Sequence, residues 1–75
     1  MNQQELDHEA AVNWIAGEML IFETTVGQQN ASAAVTSAIM LAAILRAISP
    51  KEQTAFSAEV DLIYKRYNDQ FKEAA

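Results

Sequence analysis

Apolar residues recur every three or four positions through the last third of the chain. They are Phe56, Val60, Ile63, Tyr64, Tyr67 and Phe71. Most charged residues of this segment lie on the opposite side, and this spacing predicts an amphipathic helix with one buried face. Its start is marked by Ser49, Pro50 and Glu52, which suit the N-cap, the first helical position and the third position of a capping box. We therefore predict a helix over residues 50–72.

The first third of the chain carries two neighbouring apolar stripes. One stripe consists of Ala11, Ile15, Met19, Phe22 and Val26, and the other of Leu6, Ala10, Trp14 and Ile21. Both stripes have helical spacing, and Gly27 is a typical residue at a helix C-terminus. We therefore predict a helix over about residues 4–26 that is apolar across an unusually wide arc.

The middle segment is apolar on all sides. Its large residues are Val35, Ile39, Met40, Leu41, Ile44, Leu45 and Ile48, separated by Ala, Ser and Thr. Asn30 is a suitable N-cap, so a helix is predicted over residues 31–48. A helix that is apolar all round is either buried or spans a membrane. The strongly apolar part, residues 31–45, is shorter than the roughly 20 residues of a membrane span, which favours a buried helix.

These elements predict an all-α fold, a three-helix antiparallel bundle-like unit formed by residues 1–75 as a single domain. The first and third helices can cover only part of the middle helix, so we expect homodimerisation to complete the core. Glutamate at Ala38 or Ala42 should break the dimer or unfold the chain. The residues expected at this interface are Trp14, Glu18, Ile21, Val35, Ala38, Ile39 and Ala42.

Two residues of the first helix are candidates for a functional role. Glu18 lies between the two apolar stripes, where a carboxylate is costly unless it is paired or protonated. Tyr64, Tyr67 or Arg46 could supply that partner, or Glu18 could lie at an interface. Trp14 is either a core residue or an exposed anchor, since Trp is enriched at interface hot spots.

Charge is distributed unevenly along the chain. The net charge is −5, and residues 1–45 contain no Lys or Arg but five Asp and Glu residues. Phosphate binding needs clustered cations, so we expect no nucleic-acid partner, whereas a basic protein surface is a candidate. The absence of Cys fits a cytoplasmic protein, and residues 1–9 do not resemble a secretion signal. Size and composition are typical of bacterial and phage accessory proteins.

The candidate chemistry in the sequence is limited to one short motif. Glu5 and His8 match the Glu-x-x-His spacing of helical di-iron sites, but the chain contains one His, so only an oligomer could complete such a site. No nucleophile, base and acid set can be assembled, and we expect no enzyme activity or cofactor. The sequence favours a non-enzymatic interaction protein (an adaptor, regulator or inhibitor) that acts as a homo-oligomer. A metal-binding oligomer and a small membrane-associated protein are the alternatives.

Overall fold

The computed structural model describes residues 1–74, and the side chains of residues 1–71, as three α-helices with no strand. Helix α1 spans Gln3–Thr25, α2 spans Ala33–Ile44 and α3 spans Pro50–Ala74. The prediction of an all-helical chain with three helices is confirmed. The predicted bounds are close for α1 and α3, whereas α2 is shorter than predicted at both ends.

No helix in the described part of the chain combines the length and the apolar character needed to cross a membrane.

Helix α1 begins and ends slightly differently from the prediction. Asn2 is its N-cap, because the side-chain oxygen accepts a hydrogen bond from the Glu5 backbone N–H at 2.8 Å. The helix ends at Thr25, with Val26 as C-cap, so Gly27 follows the terminus without a left-handed conformation. A Cβ atom at this position would overlap the hydroxyl of Tyr67 on α3, so a larger residue here would require the Tyr67 side chain to shift.

The prediction that Asn30 caps α2 is wrong. Asn30 has a φ of 60°, in the left-handed region, and the helix begins three residues later at Ala33. Ser32 occupies the N-cap position without a side-chain capping bond. Asn tolerates the left-handed conformation better than most residues, which explains its place in this turn.

The C-terminus of α2 also comes earlier than predicted, at Ile44 instead of residue 48. Arg46 is left-handed, with a φ of 59°. Its N–H donates to the Ala43 carbonyl at 3.0 Å, and the Ala47 N–H donates to the Ala42 carbonyl at 2.9 Å. These two bonds form a Schellman motif, which closes a helix by satisfying its last carbonyls. Glycine is the usual residue at the left-handed position, so Arg46 gives no sequence signal of this end.

The predicted capping box at the start of α3 is present. The Ser49 Oγ accepts from the Glu52 backbone N–H at 3.1 Å, and a Glu52 carboxylate oxygen accepts from the Ser49 N–H at 2.9 Å. The backbone hydrogen bond from Ser49 is the main cause that lowers the pKa of Glu52, followed by the hydrogen bond from His8. The ionised carboxylate therefore stabilises the fold at neutral pH, and this contribution is lost as the pH falls through the lowered pKa.

Replacing Ser49 with alanine should destabilise the chain by about 0.5–2 kcal/mol, because the Glu52 N–H loses its acceptor. Thermal unfolding at pH 7 measures the effect. Ser57→Ala on the same helix is the control, since Ser57 is exposed and lies beyond the first turn. Equal melting temperatures for the two variants would mean that the capping box does not stabilise α3.

Helix α2 packs between the two longer helices, and short connections make it antiparallel to each. The longer helices also meet each other. The rings of Phe22 and Tyr64 pack edge to face with centroids 5.0 Å apart, and His8 Nε2 lies 2.6 Å from a carboxylate oxygen of Glu52. The described structure is elongated, about 52 × 19 × 18 Å, because α3 extends past the end of α1.

The core forms where the first stripe of α1 and the stripe of α3 meet one side of α2. Its buried residues are Ile15, Met19, Phe22, Val35, Ile39, Ala42, Ile48, Val60 and Ile63. Phe71, at the end of the predicted α3 stripe, lies outside this core and is exposed, because α1 and α2 do not reach it. Among the described side chains, no polar or charged residue is buried.

Candidate interaction surface

The outward side of α2 is apolar and exposed to solvent. Its large residues, Met40, Leu41, Ile44 and Leu45, are between 52% and 71% exposed. The small residues Ala33, Ala34 and Ser37 are exposed on the same side of the helix. We call these seven residues the α2 face. It contains no charged residue, so it resembles an unpaired core surface more than an ordinary solvent-facing one.

Residue size changes along the α2 face. The small residues lie in the N-terminal half of the helix and the large ones in the C-terminal half. Facing surfaces pack well when large side chains lie opposite small ones. The α2 face therefore complements an antiparallel copy of itself, in which each C-terminal half meets the other N-terminal half.

The second stripe of α1 is also uncovered. Leu6, Trp14 and Ile21 are between 47% and 65% exposed. Beside Trp14, an open groove of about 680 Å³ lies between the surfaces of α1 and α2. The residues that line its apolar part include Ala10, Trp14, Ala38, Leu41 and Leu45, and its charged lining residues are Asp7 and Arg46. We call this depression the Trp14 groove.

The residues predicted for a dimer interface fall into two groups. Val35, Ile39 and Ala42 are only 1%, 3% and 7% exposed, so they belong to the core of the single chain and are not available to a second copy. Trp14 and Ile21 are exposed, and Ala38 is half-buried in the Trp14 groove. The first three residues are buried because the side of α2 that carries them packs against α1 and α3.

Glu18 is half-buried. It is not hydrogen-bonded to either of the two tyrosines that the sequence suggested as partners. Among the described side chains it forms no hydrogen bond or ion pair, including with Arg46. Tyr64 packs on Phe22, and Tyr67 packs on Phe71. Of the two alternatives for Glu18, a partner within the chain is therefore not the one seen among the described residues. The position of Glu18 at an interface stays a prediction.

The Glu-x-x-His motif has a different role in this structure. His8 forms its side-chain contact with Glu52 of α3, 2.6 Å away, and so links the second turn of α1 to the first turn of α3. The Glu5 backbone N–H is the group capped by Asn2. Within the described residues, no three His, Asp or Glu side chains cluster closely enough to hold a metal ion. The geometry thus gives a structural explanation for His8.

The features that bear on function are the α2 face, the Trp14 groove and the half-buried Glu18. The first two lie on or beside α2, and Glu18 lies on α1 one turn past Trp14. None of them consists of a catalytic combination of residues. No protein-family model, curated protein or solved structure matches this chain.

Proposed function

We propose that this chain is a non-enzymatic cytoplasmic interaction protein that acts as a homodimer and uses the α2 face to associate with itself. The observation that supports the proposal is the exposure of Met40, Leu41, Ile44 and Leu45 on one uncharged side of α2. Removing apolar surface from water contributes about 25 cal/mol per Å², so burial of a few hundred Å² amounts to several kcal/mol. That is comparable with the whole stability of a small domain.

The symmetry of the dimer follows from the shape of this surface. A two-fold axis perpendicular to α2 pairs the helix with an antiparallel copy. Ile44 of one protomer then lies near Ala33 and Ser37 of the other. The large residues fill the space that the small ones leave, which gives close packing over the length of both helices.

The charges of the chain are compatible with this arrangement. The net charge of −5 would repel two copies that met at random. Residues 24–45 contain no charged residue, so two α2 faces can meet without placing like charges in contact. The acidic α1 helices then remain on the outside of the dimer. They provide the surface through which an adaptor, regulator or inhibitor meets another protein.

Sedimentation of the purified protein at micromolar concentration tests the proposal. The wild-type chain should be a dimer, and Ile44→Glu should shift it to a monomer. An unpaired carboxylate buried in an uncharged interface costs several kcal/mol, and about 3 kcal/mol weakens association roughly a hundredfold.

The matched control for this experiment is Leu62→Glu on the outer side of α3. Leu62 and Ile44 are both exposed aliphatic residues, at 57% and 71%, and both changes add the same charge. Leu62→Glu should leave the dimer intact. A wild-type chain that sediments as a monomer, or two variants with the same association constant, would refute self-association through the α2 face.

A further inference from the structure

We propose that the Trp14 groove binds an amphipathic helix of a different protein, with a Lys or Arg of that helix placed against Glu18. The inference rests on the proposed role as an interaction protein and adds the chemical character of the partner. The groove shares Leu41 and Leu45 with the α2 face, and its other lining residues lie outside that face.

The shape of the groove suits a helix. Ala10 and Ala38 are small and leave room between α1 and α2, while Trp14, Leu41 and Leu45 supply large apolar surface beside them. A helix with an apolar face binds such a groove by inserting side chains spaced three and four residues apart. Trp14 is 65% exposed. Trp side chains that become buried against a partner are typical hot spots of interfaces.

Glu18 supplies the specificity. It follows Trp14 by four residues, so it lies one turn further along the same side of α1. Glu18 as a residue is half-buried, and its carboxylate forms no ion pair or hydrogen bond with the described side chains. A docked helix would remove more water from it, and that cost is offset when the helix presents a cation.

The charge distribution favours a basic partner over a second copy of the chain in this groove. Residues 1–45 contain five acidic residues and no basic residue. A second copy that entered through its own α1 would bring acidic surfaces together. The lining of the groove includes one acid and one base, Asp7 and Arg46. Glu18 lies outside this lining, one turn past Trp14 on α1, so a cation is selected where the docked helix extends beyond the groove. Basic helices would also associate faster, since the acidic field attracts them.

Fluorescence gives a direct test, because Trp14 is the only Trp of the chain. The probe is a synthetic helical peptide of about four turns with Ala and Leu on one face, Lys on the flanks, and no Trp or Tyr. Its matched analogue carries Glu in place of Lys. The Lys peptide should shift the emission of Trp14 to shorter wavelength in a saturable way, and the Glu peptide should not.

Two variants of α1 test the role assigned to Glu18. Glu18→Gln should weaken binding of the Lys peptide severalfold, whereas Glu23→Gln, on an exposed part of the same helix, should not change it.

The same titration on Ile44→Glu separates this inference from dimerisation, since a monomer that binds the peptide supports the groove independently. Equal binding of both peptides, equal effects of both Gln variants, or a blue shift of the free Ile44→Glu variant that grows with its concentration would overturn the proposal. The last result would assign the groove to a second copy.

Discussion

Glutamate in place of Ala42 is expected to unfold the chain at room temperature. Ala42 is 7% exposed on the inner side of α2, and its carbonyl accepts the bond that closes the Schellman motif. A glutamate there would place its carboxylate against a core in which no described residue is polar or charged. An unpaired buried charge costs several kcal/mol, which approaches the 5–15 kcal/mol that stabilises a typical small domain.

Circular dichroism measures this outcome as a loss of helical signal. Ala34→Glu is the matched control, because Ala34 lies on the exposed side of the same helix. Ala34→Glu should keep the helical signal even if it weakens the dimer. If both variants kept their helicity, the inner side of α2 would not be the buried one.

Truncation of Phe22 to alanine should cost about 3–5 kcal/mol, the second largest effect that the structure predicts. Phe22 is 1% exposed, and its ring packs edge to face against Tyr64 at 5.0 Å. The side chain therefore joins α1 directly to α3. Its loss leaves a cavity between two helices that the short α2 cannot fill.

Urea denaturation at a fixed protein concentration measures this loss, since the stability of a dimer depends on concentration. Phe71→Ala provides the comparison. Phe71 is 59% exposed and packs edge to face only on Tyr67 among the described rings, so its truncation should cost less than about 1 kcal/mol. Equal costs for the two phenylalanines would contradict the core described for this chain.

Local sequence patterns determined α3 most completely. This helix has one apolar side and one charged side, so the spacing alone shows which side of α3 faces the core. Ser49 and Glu52 determine its start, because their reciprocal bonds are formed within a single turn. Phe71 is the exception within this stripe. Its exposure depends on where α1 ends, which is a property of the packed helices.

The ends of α2 depended on tertiary structure. Asn30 and Arg46 take left-handed conformations, and the usual marker of such a turn, glycine, is absent from both positions. The chain turns at Arg46 because Ile48 then returns to the core, where it is 4% exposed. The free energy gained by burying Ile48 offsets the strain of a left-handed arginine. This gain is a tertiary effect, so it cannot be predicted from the conformational preferences of the single residues.

Of the two candidate surfaces, one could be predicted from the sequence and the other depended on tertiary structure. The sequence by itself determined that α1 carries a second apolar stripe through Trp14 and Ile21, because charged residues mark the remaining side of that helix. It could not determine which side of α2 faces inward, since a helix without charged residues has no polar side to direct it outward. Only the packing of α1 and α3 against Val35, Ile39 and Ala42 decided that question. The same packing left Met40 and Ile44 in water, and so defined the α2 face.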